Sequence, residues 1–247
     1  MLEWVKIAKE KGYTLSCKRL RNGVNIVTAI GSKIGMLSKL LESGVIAVLR
    51  RVPLEKIEPV AECLIRGGIT AIEITVEEPS AFQALERLAI RVGDQAMIGA
   101  GTVLDSETAK MAIQRGAEFV FSPTYSPRVV QTVLRYGKIA APGVMTPTEM
   151  LRAYEGGADL VKLFPATGLG VQFIKDVRGP LAHIPILPTG GINLDNVADF
   201  IKAGVVGVGI GSNLLSHQAI EKEDYSSIQE KAKQYVTRIQ QAREELA

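Results

Sequence analysis

Residues 45–75 read VIAVLRRVPLEKIEPVAECLIRGGITAIEIT. The segment opens and closes on short β-branched runs, 45–49 and 71–75, each of strand length. Between them, residues 54–66 carry a helical pattern, and Gly67-Gly68 offers the backbone on which a helix ends. Strand, helix and strand in this order make a parallel βαβ unit.

The same alternation continues to the end of the chain. Further strand candidates are 97–102, 118–122, 138–141, 160–164, 184–189 and 205–209, with helical patterns such as 80–92 and 105–115 between them. Eight strands separated by helices close naturally into a barrel, so the sequence predicts an α/β protein with a single (β/α)8 TIM barrel. A doubly wound open sheet is the alternative, but no G-x-G-x-x-G turn follows the first strand. Punctuation agrees with this division. Ser126-Pro127 and the capping box Thr146-Pro147-Thr148-Glu149 start helices, while Gly116, Gly156-Gly157 and Gly204 end them.

The two ends stand apart from the repeat. Residues 1–35 form an N-terminal extension, in which runs 13–20 and 24–30 flank Arg21-Asn22-Gly23; a hairpin or a disordered leader both suit it. Residues 36–247 form the barrel with a C-terminal helix, which a second capping box, Ser227 with Glu230, is expected to start.

Composition narrows the function classes. Apolar residues make up 47% of the chain, enough for a large core, while aromatics are few, which suits tightly packed parallel strands. The net charge of +3 is too small, and its carriers too scattered, for a nucleic-acid footprint; the cluster Lys18–Arg21 reads as solvated surface. Cys17 and Cys63 have neither CxxC spacing nor a nearby His, so no metal and no disulfide is expected, and a reducing cytoplasm fits. No apolar run is long enough for a signal peptide or a membrane span.

Charge inside apolar strands points to the chemistry. Leu160-Val161-Lys162-Leu163-Phe164 places Leu160, Lys162 and Phe164 on one strand face. Lys162 is either a lysine that snorkels to water at a strand end or a desolvated amine able to attack a carbonyl. Ala71-Ile72-Glu73-Ile74-Thr75 carries one carboxylate, either a structural partner for a buried cation or a general acid/base. Both would converge at the C-terminal face of a barrel, where active sites form. Gly99-Ala100-Gly101-Thr102 ends the third strand, as a ligand approach or a bulge. Gly190-Gly191 after strand seven and Gly211-Ser212 after strand eight can cradle a phosphate with backbone N–H groups and the Ser212 hydroxyl. Arg50 and Arg51 follow strand one, and either can present a fork to a carboxylate.

Taken together, Val45-Ile46-Ala47-Val48-Leu49-Arg50, Ile72-Glu73-Ile74-Thr75, Gly99-Ala100-Gly101-Thr102-Val103-Leu104, Ser122-Pro123, Val161-Lys162-Leu163-Phe164-Pro165-Ala166 and Pro188-Thr189-Gly190-Gly191-Ile192 resemble, in order and spacing, the bacterial 2-keto-3-deoxy-6-phosphogluconate aldolases, also called 4-hydroxy-2-oxoglutarate aldolases. The resemblance covers about residues 36–216. It implies a class I aldolase without cofactor or metal, a homotrimer, and a keto-acid sugar phosphate as substrate. By motif, Lys162 is the Schiff-base lysine and Glu73 the general acid/base. Thr102, Pro123 and Phe164 line the pyruvate pocket, Arg50 is a site arginine, and Gly190, Gly191 and Ser212 hold the phosphate.

The chain departs from the pattern at Glu77, where many members of that family carry an arginine for the pyruvate carboxylate. Glu77 is expected either to point away from the pocket or to pair with Arg50 or Arg51, leaving Arg50 as the main cationic contact. Two other functions compete. A phosphate-binding isomerase or thiamine phosphate synthase-like barrel could share Pro-Thr-Gly-Gly but would not need Lys162. A sugar-phosphate-binding module would have no use for a Lys–Glu pair.

Overall fold

A computed structural model describes residues 26–246. Helix α1 (Ile26–Glu42) precedes the barrel. There follow β1 (Val45–Leu49), α2 (Ile57–Arg66), β2 (Ala71–Thr75), α3 (Pro79–Val92), β3 (Met97–Gly101), α4 (Ser106–Gln114), β4 (Phe119–Phe121) and α5 (Pro127–Arg135). The second half runs β5 (Ile139–Ala141), β6 (Gly143–Val144), α6 (Pro147–Glu155), β7 (Val161–Leu163), α7 (Gly170–Arg178), β8 (Ile186–Pro188), α8 (Val197–Lys202), β9 (Val208–Ile210), α9 (His217–Glu221) and α10 (Tyr225–Glu244).

Every ladder is parallel. One sheet runs β5-β4-β3-β2-β1-β9 and the other β6-β7-β8. Two joins close them into a ring: β5 and β6 are one strand interrupted at Pro142, and a parallel bridge from Thr189 to Gly209 links the end of β8 to β9. The result is the expected eight-stranded barrel, because right-handed βαβ crossovers place every helix outside and every strand in the ring.

Alternation along the strands sorts side chains between two cores. Ile46, Ala71, Met97, Phe119, Phe121, Ile139, Ala141, Leu160 and Leu187 fill the barrel interior. Leu40 of α1 joins them, with Met36, Leu37 and Leu41 around it, so α1 plugs the N-terminal mouth. The apolar residues that alternate with them, such as Val45, Ile72, Val120, Val161, Ile186 and Val208, face the helices in the larger outer core. Lys33–Asp159 (3.0 Å) and Lys39 Nζ donating to Gly93 O and Asp94 O tie the plug to two loops.

Helix starts follow the caps in part. Thr146 and Glu149 form the anticipated capping box, and Asp105 caps α4 by accepting from Thr108 N–H. Pro127 occupies the first turn of α5, although the Ser126 side chain makes no cap bond. Two expectations are corrected. Residues 26–30 of the proposed hairpin lie in α1, while its turn, Cys17 and the basic cluster fall outside the described residues. Helix α10 starts at Tyr225, with Asp224 as its cap; Ser227 donates its N–H to Asp224 Oδ1 (3.1 Å) instead of capping. An ionised aspartate outcompetes serine as an acceptor at a helix start.

That helix is part of the barrel wall. Ile228, Ala232, Tyr235, Val236, Ile239 and Ala242 are buried against α2 and α8. Gly67 lets it approach, since a Cβ there would lie 2.5 Å from Ala232 Cβ. Among the described residues, no helix is long and apolar enough to cross a membrane.

Candidate active site

The interior changes character from bottom to top. Below, the layer is apolar; above it, the interior positions of β2 and β7 are Glu73 and Lys162. Lys162 Nζ lies 3.3 Å from Glu73 Oε1, and the side chains are 6% and 1% exposed. At this burial neither charge is solvated, so each depends on the other and on the few polar atoms nearby. The lysine does not snorkel to water. Its Nζ sits 5.5 Å from the ring centroids of both Phe121 and Phe164, whose faces suit a cation or an iminium.

Small residues make room for this pair. Glu73 stands between Val48 and Gly99 in the strand register. Gly101, two residues further along β3, leaves the space that the Glu73 carboxylate fills. Gly209 does the same for Thr189. Two buried oxygens, Glu73 Oε2 and Thr189 Oγ1, have no hydrogen-bond partner among the described residues. Unpaired buried acceptors and donors are uncommon in folded proteins and are a mark of groups that serve a ligand.

At the C-terminal ends of β1, β7, β8 and β9 opens a cavity of about 310 Å³, lined by Phe164 but by neither Lys162 nor Glu73. Arg50, Phe164, Gly190, Gly191, Gly211 and Ser212 all line it. The backbone N–H groups of Gly191, Ser212 and Asn213 donate to no other described residue. Gly190 and Gly191 have φ of 100° and 75°, values open to glycine and strained for other residues. Arg51 turns away into a separate cavity of about 120 Å³. Glu77 pairs with Arg50 (Oε1 to Nη1, 3.6 Å), the second of the two anticipated arrangements.

Thr102 and Pro123 are not among the lining of the larger cavity. Thr102, with φ of 61°, follows β3, the neighbour of Glu73's strand. Pro123 packs its backbone on Gly143, the register partner of Lys162. Residues the sequence reading left unassigned also border the cavity, including Thr189, Asn213 and His217. Thr189 carried a usable signal, a hydroxyl at an inward position of an apolar strand; Asn213 and His217 carried none. Among the described residues no three His, Cys, Asp or Glu side chains gather as a metal site would need.

A parallel barrel with one lysine and one carboxylate buried in its upper layer, beneath a polar-rimmed cavity, defines the class I aldolase type of carbon–carbon lyase. The family described as KDPG and KHG aldolase matches residues 36–231. The chain is 37% identical over 187 residues to the 2-dehydro-3-deoxy-phosphogluconate aldolase of Treponema pallidum, covering 74% of this chain and 89% of that one. It is 33% identical over 179 residues to the 2-dehydro-3-deoxy-6-phosphogalactonate aldolase of Escherichia coli, covering 72% and 87%. A KDPG aldolase from Legionella pneumophila, solved with pyruvate captured as a covalent carbinolamine, superposes with a TM-score of 0.75 at 31% identity, over 79% of this chain and 95% of that one. The chain belongs to the KDPG and KHG aldolase family. A thiamine phosphate pyrophosphorylase from Pyrococcus furiosus shares the fold alone, at 19% identity and a TM-score of 0.64.

Proposed function

We propose that this aldolase cleaves 2-keto-3-deoxy-6-phosphogluconate to pyruvate and glyceraldehyde 3-phosphate through a Schiff base on Lys162. The observation that carries the reading is the buried contact between Lys162 Nζ and Glu73 Oε1 beneath the cavity. A proton passed from Nζ to Oε1 leaves a neutral amine, the form that attacks the C2 ketone. Glu73 returns the proton to the carbinolamine hydroxyl, water leaves, and an iminium forms. The Glu73 carboxylate then takes the proton of the C4 hydroxyl as the C3–C4 bond breaks. That electron pair moves into the iminium, giving an enamine and the free aldehyde. Protonation at C3 and hydrolysis release pyruvate and restore the amine.

In this reading Arg50 meets the substrate carboxylate, and Thr102, Pro123 and Phe164 shape the pyruvate pocket. Gly190, Gly191, Gly211 and Ser212 take the phosphate. The unengaged N–H groups of Gly191 and Ser212 support that role, as do the cavity's dimensions. The shorter 4-hydroxy-2-oxoglutarate, cleaved to pyruvate and glyoxylate, uses the same pocket without the phosphate loops. The gluconate epimer is favoured on the T. pallidum relative, and assay of both epimers tests it. A cytoplasmic homotrimer completes the reading. Cys63, buried and unpaired among the described residues, suits a reducing compartment, and exposed Leu104, Met145, Leu151 and Tyr154 offer apolar surface to a second copy.

The test is borohydride trapping with pyruvate, read by peptide mass. A reduced adduct is expected on Lys162 and none in Lys162→Ala. An adduct retained by that variant sinks the assignment.

A further inference from the structure

Arg50 and Arg51 are neighbours in sequence that serve different cavities. Arg51 has φ of 51°, a left-handed backbone conformation rare for a long side chain. On one side of this turn Arg50 lines the larger cavity, and on the other Arg51 lines the smaller one between α2 and α3. Glu77 borders the smaller cavity and not the larger. Its Oε2 accepts from the hydroxyl of Thr75 at 3.2 Å, and Thr75 is only 4% exposed. Its Oε1 faces Arg50 Nη1 at 3.6 Å. The carboxylate is thus anchored to a buried residue of β2 and reaches the guanidinium from outside the substrate cavity. A second pair, Arg51–Glu78 at 3.8 Å, joins the same two loops without lining the larger cavity.

We propose that Glu77 is a positioning residue that holds the Arg50 guanidinium at the cavity rim, ready for the carboxylate of the incoming keto acid. This rests on the reading that Arg50 receives that carboxylate. The physical case is one of preorganisation. Arginine has five N–H donors in a planar fork, so engagement of one edge by Glu77 leaves another edge for the substrate. A long side chain already confined loses less freedom when the substrate binds. The side chain of Arg50 is 55% exposed and lacks packing to confine it, which makes its ion pair the available restraint.

The experiment measures steady-state cleavage and the pyruvate dependence of borohydride trapping in the full chain. Arg50 would touch the carboxylate in ground and transition states alike, so Glu77→Ala should raise KM about fivefold while kcat stays within about twofold. Glu77→Gln keeps an acceptor oxygen and should recover most of the loss. Glu78→Ala should leave KM unchanged. In an Arg50→Ala background, Glu77→Ala should add nothing, as expected of a residue that acts only through another. An unchanged KM in Glu77→Ala, a matching rise in Glu78→Ala, or full additivity with Arg50→Ala overturns the proposal. Failure of the underlying reading is separate: Arg50→Ala alone would then keep the KM of the unsubstituted protein.

Discussion

Gly101 and the Glu73 carboxylate share one space: a Cβ at position 101 would overlap Glu73 Oε1, Cδ and Cγ. Both residues sit on neighbouring strands, with Thr75 and Gly101 in register. Position 101 is therefore glycine because the second strand carries a buried acid, whereas Gly99 makes room for the Phe119 ring. We expect Gly101→Ala to push the carboxylate off its line to Lys162. Cleavage should fall by about a hundredfold or more, since proton transfer depends on such placement. Far-ultraviolet circular dichroism should remain that of a folded barrel. Glu73→Gln, which keeps shape and removes the base, should lose activity to a similar degree. Activity near normal in both variants would remove Glu73 from the mechanism.

The glycine loops should discriminate by phosphate. Gly191→Val meets two obstacles, a positive φ and a Cβ 2.7 Å from Thr167 Oγ1. Ser212→Asp adds a negative charge at the cavity edge, where it would repel a phosphate. Each should depress kcat/KM for the phosphorylated substrate by about tenfold more than for 4-hydroxy-2-oxoglutarate. Equal losses on both substrates would assign these loops to folding alone.

The C-terminal helix should act as a clasp. Arg243 Nη1 donates to Glu42 O (2.9 Å), and Nη2 donates to Leu41 O (3.0 Å) and Val206 O (3.1 Å). It thereby caps α1 and fastens the plug to the segment that leads into β9. Arg243→Met keeps the alkyl stem and loses all three bonds, so it should cost about 2 kcal/mol in denaturant unfolding. The kinetics of the distant site should not change. A variant as stable as the parent would show that α1 is held by its apolar contacts.

The barrel was legible because its evidence is periodic. Strands 45–49 and 71–75 match the observed β1 and β2, for their β-branched runs end abruptly at Arg50 and beside Glu77. The later strands are shorter than their apolar runs suggest, as with β8, which starts at Ile186 instead of residue 184. Ile184 is buried yet outside the ladder, and hydrophobicity alone does not separate the two situations. Lys162 and Glu73 stood out as charges in apolar strands, and parity put Lys162 on one face with Leu160 and Phe164. The direction of Arg50 was not legible, because it depends on a left-handed backbone at Arg51 that no local pattern announces. The burial of helix α10 in the barrel wall, where its charged pattern suggests a surface or interface helix, was not legible for a related reason. Its apolar stripe is narrow, and the partners that bury it, α2 and α8, are far away in sequence.

Tyr235 gives the fold a pH limit of its own. It is 1% exposed, in the middle of α10, and burial pushes its phenol up to about 12 from the ordinary 10.0, with Asp195 adding to the rise. The folded state therefore keeps this proton in a range where the unfolded chain has already released it. A folded-state value raised above the unfolded one contributes stability that is fully present below pH 10. That stability is lost as pH climbs through the folded value near 12. Tyr235→Phe removes the ionisation while retaining the ring. At pH 8 the two should differ little, by on the order of 1 kcal/mol or less, because the Tyr235 hydroxyl has no hydrogen-bond partner among the described residues to lose. Between pH 10 and about 12 the parent should lose stability faster, and the gap should close or change sign. Tyr225 is also raised, by burial first and then by Glu223, so some alkaline loss should remain in the variant. Paired urea unfolding curves at several alkaline pH values give the measurement. Curves that stay parallel from pH 8 to the alkaline limit would show that Tyr235 is not the group that sets it.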